Sequence, residues 1–174
     1  MANPNKRQGT SWESSIRDFL NKVLGLVDEK GKLLNPFNGL NVRRVAQEGS
    51  RDVGDVHAVP FVLEAKDVAK ATVPTWIRQA EAEANHAGFP FGVVVHKLRR
   101  ANVRAGKVHF GVRTWSRVRL VLGLSAREFY DRYRFTFTVR GLDTGKWYAT
   151  TDLERFAVLL ADVRNEMGGS RATD

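Results

Sequence analysis

The chain has 174 residues, 43% of them hydrophobic, which suits one cored domain and excludes wholesale disorder. A formal net charge of +9 with no cysteine excludes disulfides, thiolate metal sites and cysteine nucleophiles, and points to a polyanionic partner, nucleic acid first. No apolar run approaches the ~18 residues of a membrane span and residues 1–9 are polar, so a soluble, cytoplasmic protein is expected.

Residues 1–9 are expected as a flexible leader, 10–167 as a single domain and 168–174 as a frayed tail. A helix is expected from Thr10 or Ser11, because Trp12, Ile16, Phe19, Leu20, Val23 and Leu24 recur at helical spacing. Thr10 and Glu13 have the spacing of a capping box. Residues 28–39, rich in Gly, Asn and Pro, read as a loop. Short strands are expected at 41–46, 53–58 and 61–66, the last two forming a hairpin. Pro74 opens a second helix that stops at Gly88, with Trp76, Ala80, Ala84 and Ala87 on one face. The continuous apolar run 91–95 reads as a fully buried strand.

Extended segments are then expected at 107–115 and 117–122, making a basic, strand-rich insertion over about 97–124. Ser125 with Glu128, and Thr151 with Glu154, fit further capping boxes, each opening a helix. Alternating Phe135, Phe137 and Val139 mark a strand over 134–140, returning over 146–149 after a turn at 143–145. The class is α/β, a central mixed β-sheet flanked by helices.

Charge is unevenly placed. No acid occurs between Glu83 and Glu128, a stretch that holds Lys97, Arg99, Arg100, Arg104 and Lys107 as well as Arg113, Arg117, Arg119 and Arg127. Phosphate binding explains such a run better than a merely solvated surface does. Trp115 and Phe110 within it are expected in the core rather than stacked on bases.

The chemistry concentrates in 49–66. Alternation on a strand sends Val62, Glu64 and Lys66 to one face, inside an otherwise apolar segment. Buried charges need partners or a metal. Asp55, on the neighbouring arm, supplies a second carboxylate, and a divalent cation relieves the repulsion between the two. Lys66 would orient a water or stabilise phosphoryl oxygens. Asp52 competes with Asp55 but suits a turn role better. His57 is read as structural or DNA-contacting, and His96 with Lys97 as lying near the site.

Glu64-Ala65-Lys66, preceded by Gly54-Asp55 and by Glu13 on the first helix, resembles the PD-(D/E)XK nuclease superfamily. Within it, Gly9, Glu13, Arg43-Arg44 and Gly49-Ser50 give a layout similar to archaeal-type and phage Holliday-junction resolvases over about 9–97. Gly54 stands where that family commonly has Pro. The resemblance implies a restriction-endonuclease-like core and a homodimer that cuts branched DNA such as a four-way junction, with Mg²⁺ or Mn²⁺. It implies metal ligation by Asp55, Glu64, the Ala65 carbonyl and Glu13, with Lys66 and Gln79 assisting. Arg43, Arg44, Ser50 and Arg51 would join the basic segment on DNA.

Blander readings stand beside these. Glu13 could be only a cap, Gln79 only a solvent-exposed side chain, Ser50 only a turn residue, and Glu64–Lys66 only a salt bridge on an edge strand. An exonuclease or restriction-type enzyme of the same fold, or a non-catalytic basic DNA-binding module, are the alternative functions.

Overall fold

A computed structural model describes residues 4–46 and 52–169. Seven strands form one mixed sheet: β1 (Arg43–Arg44), β2 (Val56–Ala58), β3 (Phe61–Lys66), β4 (Phe91–His96), β5 (Lys107–Gly111), β6 (Thr136–Thr138) and β7 (Tyr148–Asp152). Among the described residues, five α-helices flank it: α1 (Pro4–Val23), α2 (Val73–Ala87), α3 (Val112–Val121), α4 (Ala126–Arg132) and α5 (Leu153–Gly169). The spatial order is β1-β2-β3-β4-β5-β7-β6. Among the described residues, only β3 and β4 pair in parallel, as expected for strands joined by a helical crossover through α2.

Each face of β3 has its own cover. Phe61 and Leu63 join the large core with Trp12, Ile16 and Leu20 of α1 and Phe156, Leu160 and Val163 of α5. Burying each of these large side chains contributes roughly 2 kcal/mol. On the opposite face, Val73, Trp76, Ile77 and Ala80 of α2 cover Val94 of β4. The contact is close because position 92 is glycine: a Cβ there would stand 2.1 Å from the Ala80 carbonyl oxygen. Two side chains tie the other layer down. Trp12 Nε1 donates to the Val95 carbonyl at 3.0 Å, and Asn21 exchanges hydrogen bonds of 2.9 Å with both backbone groups of Val42.

Several expected elements differ. The first helix begins at Pro4, so Thr10 lies inside it rather than capping it, and residues 4–9 are helix rather than leader. Val23, counted on its apolar face, is half exposed. The last helix runs to Gly169, two residues into the expected tail. The strands expected at 41–46 and 53–58 shorten to two and three residues.

The basic segment is not strand-rich. Lys107–Gly111 is an inner strand of the sheet, and the chain then turns into α3, whose Trp115 and Val118 are buried in the large core. Thr114, Trp115 and Val118 have the spacing of one helical face, which outweighs the extended propensity of a β-branched run. Phe110 is also buried, as expected.

The Ser125–Glu128 capping box forms as read. The third expected box does not. Thr151 belongs to β7 and donates to the Tyr133 carbonyl at 2.6 Å, while Asp152 accepts from the Arg155 N–H at 2.8 Å and starts α5. The expected strand at 134–140 is reduced to 136–138, and the turn before β7 ends in a 3-10 segment at 144–146.

Candidate active site

The β2–β3 hairpin fixes the geometry. Val56 pairs with Leu63, His57 with Val62 and Ala58 with Phe61, so the register continued by one residue sets Asp55 opposite Glu64. At that step a side chain replaces the backbone ladder: Asp55 Oδ2 accepts from the Ala65 N–H at 2.8 Å. The Asp55 backbone is held too, its carbonyl accepting from the Val45 N–H at 2.9 Å.

Glu64 is 4% exposed on an inner strand, which removes the edge-strand reading. Lys66 Nζ donates to Glu64 Oε1, and also to Gln79 Oε1 at 3.1 Å. Gln79 therefore faces the site although it is an exposed residue. Asp52 serves the turn, accepting from the Gly54 N–H at 3.1 Å.

One residue of this cluster was missed. Glu83 on α2 is 2% exposed, and neither of its carboxylate oxygens meets a hydrogen-bond donor. It lies against Glu64 and beside Gly54. A signal was present in the sequence. Glu83 falls within the stripe formed by Trp76, Ala80, Ala84 and Ala87, where a carboxylate is out of place.

The electrostatics follow from this crowding. Burial, then the Glu64 charge, pushes the Asp55 carboxyl up to about 7 against the pull of the Ala65 N–H. Burial, then the Glu83 carboxyl, raises Glu64 to about 7, with Lys66 opposing. Burial raises Glu83 as well. A buried cluster this costly to ionise is a candidate functional site.

Glu13 lies on the Asp55 side, where its charge helps to raise the Asp55 carboxyl. It is engaged by Arg44, whose Nη2 lies 2.8 Å and Nε 3.0 Å from Glu13 Oε2, so it acts as an ion-pair partner and not as a cap. Among the described residues, no three His, Asp or Glu side chains converge closely enough to hold a metal by themselves. Asp55, Glu64 and the Ala65 carbonyl are hard oxygen donors, and Mg²⁺ commonly takes one or two carboxylates and keeps its waters, so the donor set suits that ion.

The expected DNA-contacting residues divide. Arg99 and Arg100 are exposed in the turn after β4. Lys107 is half-buried beside His96. Lys97 is paired with Asp67 at 2.9 Å and lies over the Trp12 ring. Arg104 is 3.8 Å from Glu154. Arg43 donates to the Pro36 and Asn38 carbonyls at 2.8 and 3.3 Å, a loop-bracing role. Ser50 and Arg51 lie outside the described residues. His57 bonds the Val53 carbonyl at 2.7 Å and packs on Phe89, which makes it structural. His96 is adjacent to Lys66 in the β3–β4 register and is held by the Val68 carbonyl.

Comparison of the chain with protein-family models, with curated proteins and with solved structures finds no match. Among the described residues, no helix is long and apolar enough to cross a membrane.

Proposed function

We propose that this protein is a divalent-cation-dependent deoxyribonuclease of the PD-(D/E)XK type, acting on branched DNA such as a four-way junction. One observation carries the reading: Asp55 and Glu64 stand opposite each other on adjacent hairpin arms, with Lys66 on the same strand face as Glu64. Asp55, Glu64 and the Ala65 carbonyl would hold Mg²⁺ or Mn²⁺. When bound, the cation supplies Lewis acidity for a phosphoryl oxygen and an acidified water.

The chain's own residues do the rest. Hydrolysis adds a water oxygen to phosphorus and breaks one P–O ester bond, so negative charge builds on the phosphoryl oxygens. An ammonium has three donors, and Lys66 uses two, on Glu64 and Gln79. The third is free to hold the attacking water or a phosphoryl oxygen. Gln79 and Glu64 thereby aim Lys66. Arg99 and Arg100 add exposed positive charge for the DNA backbone. The junction preference and the homodimer rest on the resemblance in 9–97.

The test is cleavage of labelled four-way junction and matched linear duplex, with Mg²⁺ or with EDTA, by the wild type and by Glu64→Gln. Paired cuts in the junction that need metal and Glu64 support the reading. Cleavage of linear duplex alone keeps the nuclease and removes the junction. Binding of both DNAs without cleavage in Mg²⁺ or Mn²⁺ leaves a DNA-binding module.

A further inference from the structure

The Glu83 carboxylate is the one acid of the cluster that nothing described above uses. It comes from α2, not from the hairpin, and is held in place by the packing of Ala80 and Ala84 on either side of it in the helix. Its two oxygens are buried with no hydrogen bond of full geometry, only Glu64 and Gln79 lying alongside, a costly arrangement for an acceptor-only group. What it faces is another carboxyl, Glu64. The Lys66 ammonium is directed elsewhere, to Glu64 Oε1 and Gln79. Glu13, the other candidate for a third carboxylate, already has Arg44 as its counter-charge.

We infer that Glu83 is a supporting carboxylate of the cation site, reached from the α2 side through a water carried by a cation on Asp55 and Glu64, where the sequence resemblance places Glu13. The inference rests on the cation-dependent reading above and names one more residue within it. A cation held by Asp55 and Glu64 would give the Glu83 oxygens donors through the hydrogens of a water it carries. Such supporting carboxylates typically change metal affinity by about 10–100-fold. Gly54 packs the hairpin closely beside Glu83: a Cβ at that position would stand 2.2 Å from Val62 Cγ1 and 3.4 Å from Glu83 Oε2.

The experiment is calorimetric titration of MnCl₂ into the full-length protein at neutral pH, for the wild type, Glu83→Gln, Glu83→Asp and Glu13→Gln. Thermal melting of each without metal accompanies it. The expected result is about tenfold or greater weakening of Mn²⁺ binding in Glu83→Gln, an intermediate loss in Glu83→Asp, and less than about threefold in Glu13→Gln. Without metal, Glu83→Gln should melt no lower than the wild type, because its amide gives Glu64 a donor. Wild-type Mn²⁺ affinity in both Glu83 variants overturns the inference and leaves the nuclease reading intact. So does a lowered metal-free melting point with unchanged affinity, which makes Glu83 a packing residue. Absence of Mn²⁺ binding by the wild type overturns both readings together.

Discussion

Asp55 Oδ2 accepts the Ala65 N–H at 2.8 Å, so a carboxylate closes the open end of the β2–β3 hairpin where a backbone carbonyl would otherwise do so. The bond holds Asp55 against Glu64, and burial with that neighbouring charge lifts the Asp55 carboxyl from 3.8 to about 7. The folded state therefore binds the proton more tightly than the unfolded chain does. Its stabilising contribution is complete below the unfolded value near 3.8 and is lost as pH rises through about 7. Asp55→Asn removes this dependence. Relative to the metal-free wild type, the variant should gain about 2 kcal/mol between pH 5 and pH 8, or roughly 4–8 °C in melting temperature. Added Mg²⁺ should restore the wild type at pH 8 and leave the variant unmoved. A wild-type-to-variant difference that stays constant with pH contradicts the account.

Gly54 is where the chain departs from the Pro-Asp pattern of the nuclease family proposed for it, and the backbone gives the reason. Its φ is +85°, a conformation closed to proline, and a Cβ would stand 2.2 Å from Val62 Cγ1. Gly54→Ala should cost about 2–4 kcal/mol, combining left-handed strain with a clash against a buried valine. Urea denaturation measures it directly. A cost under about 1 kcal/mol means that the turn before β2 adjusts freely and does not fix Asp55.

The hairpin and the pairing of its acids were legible because β-alternation is short-range: once Glu64 and Lys66 share a face, the arm carrying Asp55 has few places to go. The apolar run of β4 was equally plain. What failed was decided by tertiary context. Residues 112–121 carry valines that favour strands, and the burial of Trp115 and Val118 in the large core, with Trp115 against Phe129 and Phe135, makes them a helix. Thr151 had the right spacing for a cap, but β7 needed it for pairing with Val108. Glu83 was passed over because its helix was read from its apolar members alone.

Lys66 is expected to act on cleavage and not on DNA binding, because its donors point to Glu64 and Gln79 inside the site. Lys66→Met should reduce the cleavage rate by about 10²-fold or more and leave DNA affinity within about threefold. Gln79→Ala removes one of the two groups that aim it and should cost about tenfold in rate, with KM for DNA little changed. Single-turnover kinetics beside a binding isotherm separate the two effects. Equal losses in affinity and rate for Lys66→Met would make it a phosphate anchor instead.

Salt dependence discriminates between basic residues that are free and those already engaged. Arg99 and Arg100 are exposed beyond the end of β4, whereas the Arg43 guanidinium is spent on the Pro36 and Asn38 carbonyls. Each phosphate neutralised on duplex DNA contributes about 0.9 to the slope of log affinity against log salt. In a cleavage-deficient Glu64→Gln background, the double change Arg99→Gln with Arg100→Gln should flatten that slope by about 2, and Arg43→Gln by less than about 0.5. Filter binding across a salt series reads both. If Arg43→Gln flattens the slope as much as the pair does, the loop that it braces lies on the DNA path, and the binding face extends past β1 instead of running from the end of β4.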